Sequence, residues 1–188
     1  MAIDTIHPEI RKQWHKLMVS FYDYLPMKYK AASQRDWNIR RMIWDFKDGR
    51  SCTAVAIMTA AKLREHFGEQ VKDLVFACVP ASNEAKNELR YKNFTKTVCH
   101  LSGAINAYEH IRIEGERLAV HERREEKALQ SVQVVSFDVD FFKGKRVLVF
   151  DDILTKGFSY ARFACQLEKF GAVVVGGFFL GKTISRNY

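Results

Sequence analysis

Apolar residues recur at helical spacing from Ile10 through Trp14, Leu17, Met18 and Phe21 to Leu25. That stripe predicts a helix at the start of the chain, and Pro8 and Pro26 punctuate it as helix ends do. It fits either a helix docked on the core or a face for a partner; internal packing is the commoner fate of such stripes. A second helix is predicted from about Asp36 to Phe46, with Asp36 as cap and Ile39, Met42, Ile43 and Phe46 as its apolar side. Gly49 breaks it. A third starts at Ser51 or Thr53, carries Val55, Met58 and Leu63, and stops at Gly68.

The pattern then changes period. Leu74 to Val79 is a continuous apolar run ended by Pro80, as expected of a strand buried on both faces of a parallel sheet. A polar loop from Ala81 to Lys86 leads into a helix carrying Phe94, Val98, Leu101, Ile105 and Tyr108. Ile111 and Ile113, Leu118 to Val120, and Val132 to Phe137 suggest short strands. Between them His121 to Lys127 is densely charged, which suits a solvated turn or short helix, or else a lid over a site. Val147 to Phe150 is a second buried strand, Ser159 to Phe170 a helix stopped by Gly171, and Val173 to Leu180 a third strand. Strand, helix and strand within so short a span make a βαβ unit, right-handed by rule. The expectation is an α/β fold: one domain over 1–188, with a helical N-terminal part (1–70) and an α/β core with a parallel sheet flanked by helices (71–188).

Composition narrows the class. The 188 residues are 47% hydrophobic and 28% charged, with 3 Pro and 10 Gly, which excludes a disordered or linker-rich chain. The formal charge of +8 suits anionic partners such as phosphorylated small molecules or nucleic acid, and equally suits plain solubility. Cys52, Cys78, Cys99 and Cys165 form no Cys-x-x-Cys pair, so reduced thiols and a cytoplasmic location are expected. Met1-Ala2-Ile3-Asp4 does not open a signal-peptide pattern, and no apolar stretch is long enough for a bilayer, so no membrane association is expected.

The chemistry gathers behind Phe150. Ligands of open α/β sheets bind beyond the carboxyl ends of the strands, where Asp151 and Asp152 stand. Strand alternation sends their side chains to different sides. A carboxylate accepts hydrogen bonds only, and the two hydroxyls of a ribose supply two donors. Leu154-Thr155-Lys156-Gly157-Phe158-Ser159 then runs from strand into helix. Unpaired amides at a helix N-terminus favour an anion. Gly157 permits a tight turn and a close approach to phosphate, and Thr155 and Ser159 add hydroxyl donors. A diol acceptor beside a monophosphate cradle is the geometry of ribose 5-phosphate.

The stretch from Val147 to Ser159 resembles the signature of type I phosphoribosyltransferases: four apolar residues, two acids, then Thr-x-Gly-x-Thr/Ser. The order of elements from Trp37 to Thr183, with Val79-Pro80 ending the first core strand, is similar to the ComF-like branch of that family. The resemblance implies binding of phosphoribosyl pyrophosphate or a nucleotide. It implies Mg²⁺ held at Asp151 and Asp152, directly or through water, with the same two acids anchoring the ribose and assisting proton transfer. It makes Leu154, Thr155, Lys156, Gly157, Phe158 and Ser159 the phosphate loop. Ala81, Ser82, Asn83, Lys86 and Arg90 become the pyrophosphate side. It further implies a homodimer. The reaction would be phosphoribosyl transfer to or from a nitrogenous base or amine, with pyrophosphate as leaving group. The N-terminal Cys₄ zinc ribbon common in that branch is absent. Arg90-Tyr91-Lys92-Asn93-Phe94 stands where an Arg-Gly-Phe-Asn-Gln segment is usual, and 117–130 matches the mobile catalytic loop only loosely, leaving no general base assigned.

Two further readings stand beside the enzyme. One is a non-catalytic regulator that senses phosphoribosyl pyrophosphate or a nucleotide in the same pocket. The other is a nucleic-acid-binding, competence-related protein using Arg35, Arg40, Arg41, Lys47 and Arg50 around Trp37 and Trp44. For the enzyme, Asp152→Asn is expected to weaken phosphoribosyl pyrophosphate binding without unfolding the chain.

Overall fold

The computed structural model describes residues 6–114 and 134–185. The charged run 121–127, the suggested strand at 118–120 and the segment 117–130 lie outside the described residues. The elements are α1 (Pro8–Gln13), β1 (Leu17–Tyr24), α2 (Gln34–Lys47), α3 (Cys52–Phe67), β2 (Leu74–Cys78), α4 (Glu84–Asn87), α5 (Asn93–Ser102), β3 (Ile105–Asn106), β4 (Ile111–Glu114), β5 (Val134–Phe137), α6 (Val139–Phe142), β6 (Arg146–Leu154), α7 (Phe158–Lys169) and β7 (Val173–Thr183). Five strands form one sheet in the order β1-β7-β6-β2-β3, and every pairing in it is parallel. β4 and β5 pair antiparallel as a separate ribbon.

The period-2 alternation of the central strands sorts the core into two layers. Leu74, Phe76, Cys78, Leu148, Phe150, Phe178 and Leu180 face α2, α3 and α5. Val75, Ala77, Val79, Val147, Val149 and Phe179 face α7 and α6. The architecture is therefore the expected α/β fold, a parallel sheet between two helical layers. The first layer is aromatic at its heart: Phe94 lies 4.8 Å from Phe150 and 5.0 Å from Phe46, ring centre to ring centre. Among the described residues no helix is long and apolar enough to cross a membrane.

Three boundaries differ from expectation. The N-terminal stripe is not one helix. α1 ends at Gln13, and residues 17–24 form the edge strand β1, so the part before residue 70 is not all helical. Leu-Met-Val-Ser-Phe-Tyr-Asp-Tyr is rich in strand-forming side chains, and short apolar runs satisfy both periods. The partner strand decides: at Gly176 of β7 a Cβ would run into the Leu17 carbonyl, so the glycine admits β1 to the sheet. Next, α5 ends at Ser102, leaving Ile105 on β3 and Tyr108 in a single 3₁₀ turn. Lastly, β6 continues past Phe150 through Leu154, held by its register with β7 up to Lys182. Helix α2 forms where expected but starts at Gln34 and is capped by Ser33, not Asp36, which completes the reciprocal capping box three residues later.

Candidate functional site

β2 and β6 are neighbours, yet their connections leave in opposite directions. β2 passes through α5, on one face, to β3; β6 passes through α7, on the other face, to β7. Such a reversal opens a crevice at the carboxyl ends of the two strands, where ligands of open α/β sheets bind. Residues 79–83 leave β2 at this edge; β6 runs on past it, still paired to β7 and carrying the acid pair, and residues 155–159 leave it beyond Leu154.

On the β6 side, Thr155, Lys156 and Ser159 are exposed, Leu154 and Phe158 half-buried, and Gly157 buried. The Thr155 hydroxyl lies 2.8 Å from that of Thr183 at the end of β7. Gly157 takes φ +71°, a left-handed turn into α7, and no side chain caps that helix. Its first amides are thus left for solvent or a ligand. The glycine has a second reason beyond the one expected. A Cβ there would meet the Trp14 indole nitrogen at 2.7 Å, so the space it leaves is filled by Trp14 of the chain itself.

The acids behave differently from each other. Asp152 is buried, 9% exposed, and continues the face of Leu148 and Phe150. Its Oδ2 accepts from Arg90 Nη1 at 2.6 Å, and its Oδ1 lies 3.5 Å from Lys47 Nζ at the end of α2. Arg90 also donates to the Lys47 carbonyl at 3.2 Å. Asp151 is half-buried and accepts from the Asp152 amide at 2.9 Å. Burial pushes its carboxyl well above the usual range, and the charge on Asp152 adds to that push, against Lys47 and Arg90. Tyr91, next to Arg90, is raised chiefly by burial and then by the two acids.

On the β2 side, the Ala81 amide donates to Asn87 Oδ1 at 3.1 Å, and the Lys86 amide to Asn83 Oδ1 at 2.9 Å. Asn83 caps α4, Ser82 is half-buried, and the Lys86 side chain is exposed. Arg90 is carried to Asp152 by a single widened, π-type turn over Glu88–Lys92. The structure thus brings the expected loops to one edge, but it spends Arg90 and two of the β2-loop amides on internal contacts.

The donor set does not make a protein-built cation cage. Both Asp152 oxygens already face cationic side chains, and among the described residues no three His, Cys, Asp or Glu gather around a point. Lys47, Trp14 and Thr183 join the site in roles that the sequence does not suggest. Lys47 stands there only as part of a basic patch, and Trp14 lies 143 residues from its partner Gly157. Of that basic patch, Arg40 is buried and donates to the carbonyls of Leu25, Pro26 and Tyr29 at 2.7, 2.8 and 3.0 Å. Trp37 and Trp44 pack edge to face at 6.4 Å. Arg40 is therefore a structural staple and not a phosphate ligand.

No protein-family model matches the chain, and no curated protein matches it. Among solved structures it is similar to an adenine phosphoribosyltransferase from Rhodothermus marinus, with TM-score 0.40 and 18% identity over 66% of this chain. The match spans 65% of that chain's length. It is also similar to a purine phosphoribosyltransferase from Pyrococcus horikoshii, with TM-score 0.38 and 15% identity over 89% of this chain and 91% of that one.

Proposed function

We propose that the chain binds phosphoribosyl pyrophosphate in the crevice between β2 and β6. There it transfers the phosphoribosyl group to or from a nitrogenous base or amine. The observation that carries this reading is the placement of the signature segment. Asp151 and residues 154–159 stand at the carboxyl end of β6, where the sheet connections reverse, ahead of a helix that no side chain caps. The ribose phosphate would sit on the first amides of α7 with the Thr155 and Ser159 hydroxyls. The ribose diol would donate to Asp151. In the reaction a nitrogen lone pair forms the bond to C1, the bond from C1 to the pyrophosphate oxygen breaks, and that electron pair leaves with pyrophosphate. The sugar passes through an oxocarbenium-like state. Mg²⁺ would arrive on the diphosphate oxygens with waters of its own and not in a cage built by this chain. The ComF-like order of elements and the expected homodimer belong to the same proposal, as does a cytoplasmic location, which the four free thiols support.

A second reading has an observation in its favour. The phosphate side of the crevice is open, whereas Arg90 and the Ala81 amide on the pyrophosphate side are engaged within the chain. That asymmetry suits a regulator binding a nucleotide or phosphoribosyl compound through its 5′-phosphate alone.

Calorimetric titration with phosphoribosyl pyrophosphate and Mg²⁺ tests both. Wild-type protein is expected to bind, and Asp151→Asn to lose about tenfold or more in affinity, the worth of hydrogen bonds to a charged acceptor. Equal affinities in the two proteins would sink the assignment of the ribose site. Pyrophosphate release across a panel of bases and amines marks the transferase; binding without release marks the regulator.

A further inference from the structure

The N-terminal helix does more than cover the core. α1 lies along α7: Gln13 Nε2 donates to Glu168 Oε2 at 2.7 Å, Lys16 pairs with the other oxygen, and the Cys165 thiol donates to the Glu9 carbonyl at 3.3 Å. This docking delivers Trp14 to the turn that opens α7. Its indole Nε1 donates to the Gly157 carbonyl at 3.2 Å, and its ring meets Phe158 edge to face at 5.3 Å. The same carbonyl accepts the first helical bond of α7 from the Ala161 amide at 2.9 Å, so it is held from two sides.

We propose that Trp14 is a positioning residue for the phosphate loop, its indole fixing the peptide plane between Gly157 and Phe158. The physical reason is the rigidity of the peptide. The carbonyl of Gly157 and the amide of Phe158 belong to one planar trans unit and point in opposite directions. Fixing the carbonyl toward Trp14 and α7 aims that amide out of the helix end, toward the crevice. Gly157 is compatible with this because it alone tolerates both the positive φ and the indole lying where a Cβ would be. The inference rests on reading residues 154–159 as the loop that takes the ribose phosphate.

Trp14→Phe keeps a ring against Phe158 and removes the donor. The first measurement needs no ligand: amide hydrogen exchange at residues 155–161. Exchange at the Ala161 amide, which is bonded to the Gly157 carbonyl, is expected to rise about fivefold, as for the loss of one hydrogen bond holding that turn, with the global unfolding midpoint held. Lys12→Ala, an exposed change on the same helix, should leave exchange as in wild type. Unchanged exchange in Trp14→Phe overturns the proposal. The second measurement titrates ribose 5-phosphate and, separately, inorganic pyrophosphate with Mg²⁺. Trp14→Phe should weaken the first by about the same factor and leave the second alone. Equal losses on both ligands, or no loss where wild type binds, also overturn it. Wild-type protein that takes up no ribose 5-phosphate overturns the phosphate loop itself, and with it the role of Trp14 in binding. The exchange data then report separately whether the indole holds the turn.

Discussion

Asp152 faces two cations in a nearly dry setting, and this sets what its removal does. Arg90 holds its guanidinium against Asp152 and 5.6 Å from the centre of the Tyr91 ring, so taking away the carboxylate strands a charge. Breaking a buried pair from one side costs about 3 kcal/mol. Asp152→Asn should therefore lower urea-unfolding stability by about that much, a cost that the sequence, which suggests weaker binding without unfolding, does not reveal; a loss under about 1 kcal/mol would mean the pair behaves as a surface bridge. Asp151 is the opposite case. Burial and the neighbouring charge raise its folded-state pKa above the unfolded value. Between those two values the native protein holds more protons than the unfolded chain, so stability falls as pH rises through that window. Asp151→Asn removes the penalty. In metal-free buffer the variant should be more stable than wild type near about pH 7, with the gap closing toward about pH 4, where the unfolded carboxyl titrates. Thermal melts across that range check it; a gap that widens on acidification would contradict burial as the cause. The variant that best tests the proposed ribose site thus keeps its fold, and the variant at the neighbouring acid does not test it cleanly.

The pairing of α1 with α7 shows how two elements share imperfect polar contacts. Gln13 and Tyr160 are both buried, and neither Gln13 Oε1 nor the Tyr160 hydroxyl has a partner among the described residues. Burial pushes the Tyr160 hydroxyl up, with the charge of Glu168 adding to it. An unsatisfied buried hydroxyl costs about 1–3 kcal/mol, so Tyr160→Phe is expected to stabilise the fold by about 1 kcal/mol and raise the melting temperature. A loss instead would show that a buried water satisfies the hydroxyl. Helix α2 contrasts with this interface. Its capping box closes one end, and Arg40 gathers three carbonyls of the chain between β1 and α2, so the element is polar inside yet satisfied.

Across the whole molecule the decisive feature is the strand order. β6 sits at the centre, with β7 and β1 on one side and β2 and β3 on the other. The reversal between β2 and β6 marks the edge where ligands of open α/β sheets bind; there Asp152 turns toward α2 and the Arg90 turn, and Asp151 accepts from the Asp152 amide within reach of the same Lys47 and Arg90 charges. The net charge of +8 fits an anionic ligand at this edge but does not select it. Lys47 and Arg90, two of those charges, are used inside the molecule.

By itself the sequence determined the apolar runs Leu74 to Val79, Val147 to Phe150 and Val173 to Leu180 as strands, the helices α2, α3 and α7, and the acid–Thr-x-Gly-x-Ser segment that follows Phe150; the longer reach of β6 to Leu154 and of β7 to Thr183 came from their mutual register. The former are local: apolar runs, caps and glycines act within a few residues, and their period is written in the chain. Only the tertiary structure decided that residues 17–24 are a strand, because the edge of β7 and the space at Gly176 are far away in sequence. It alone decided that Arg90 and Lys47 neutralise Asp152, and that Trp14 closes over Gly157. Contacts between residues tens to more than a hundred positions apart leave no periodic trace, since they depend on which faces the sheet brings together.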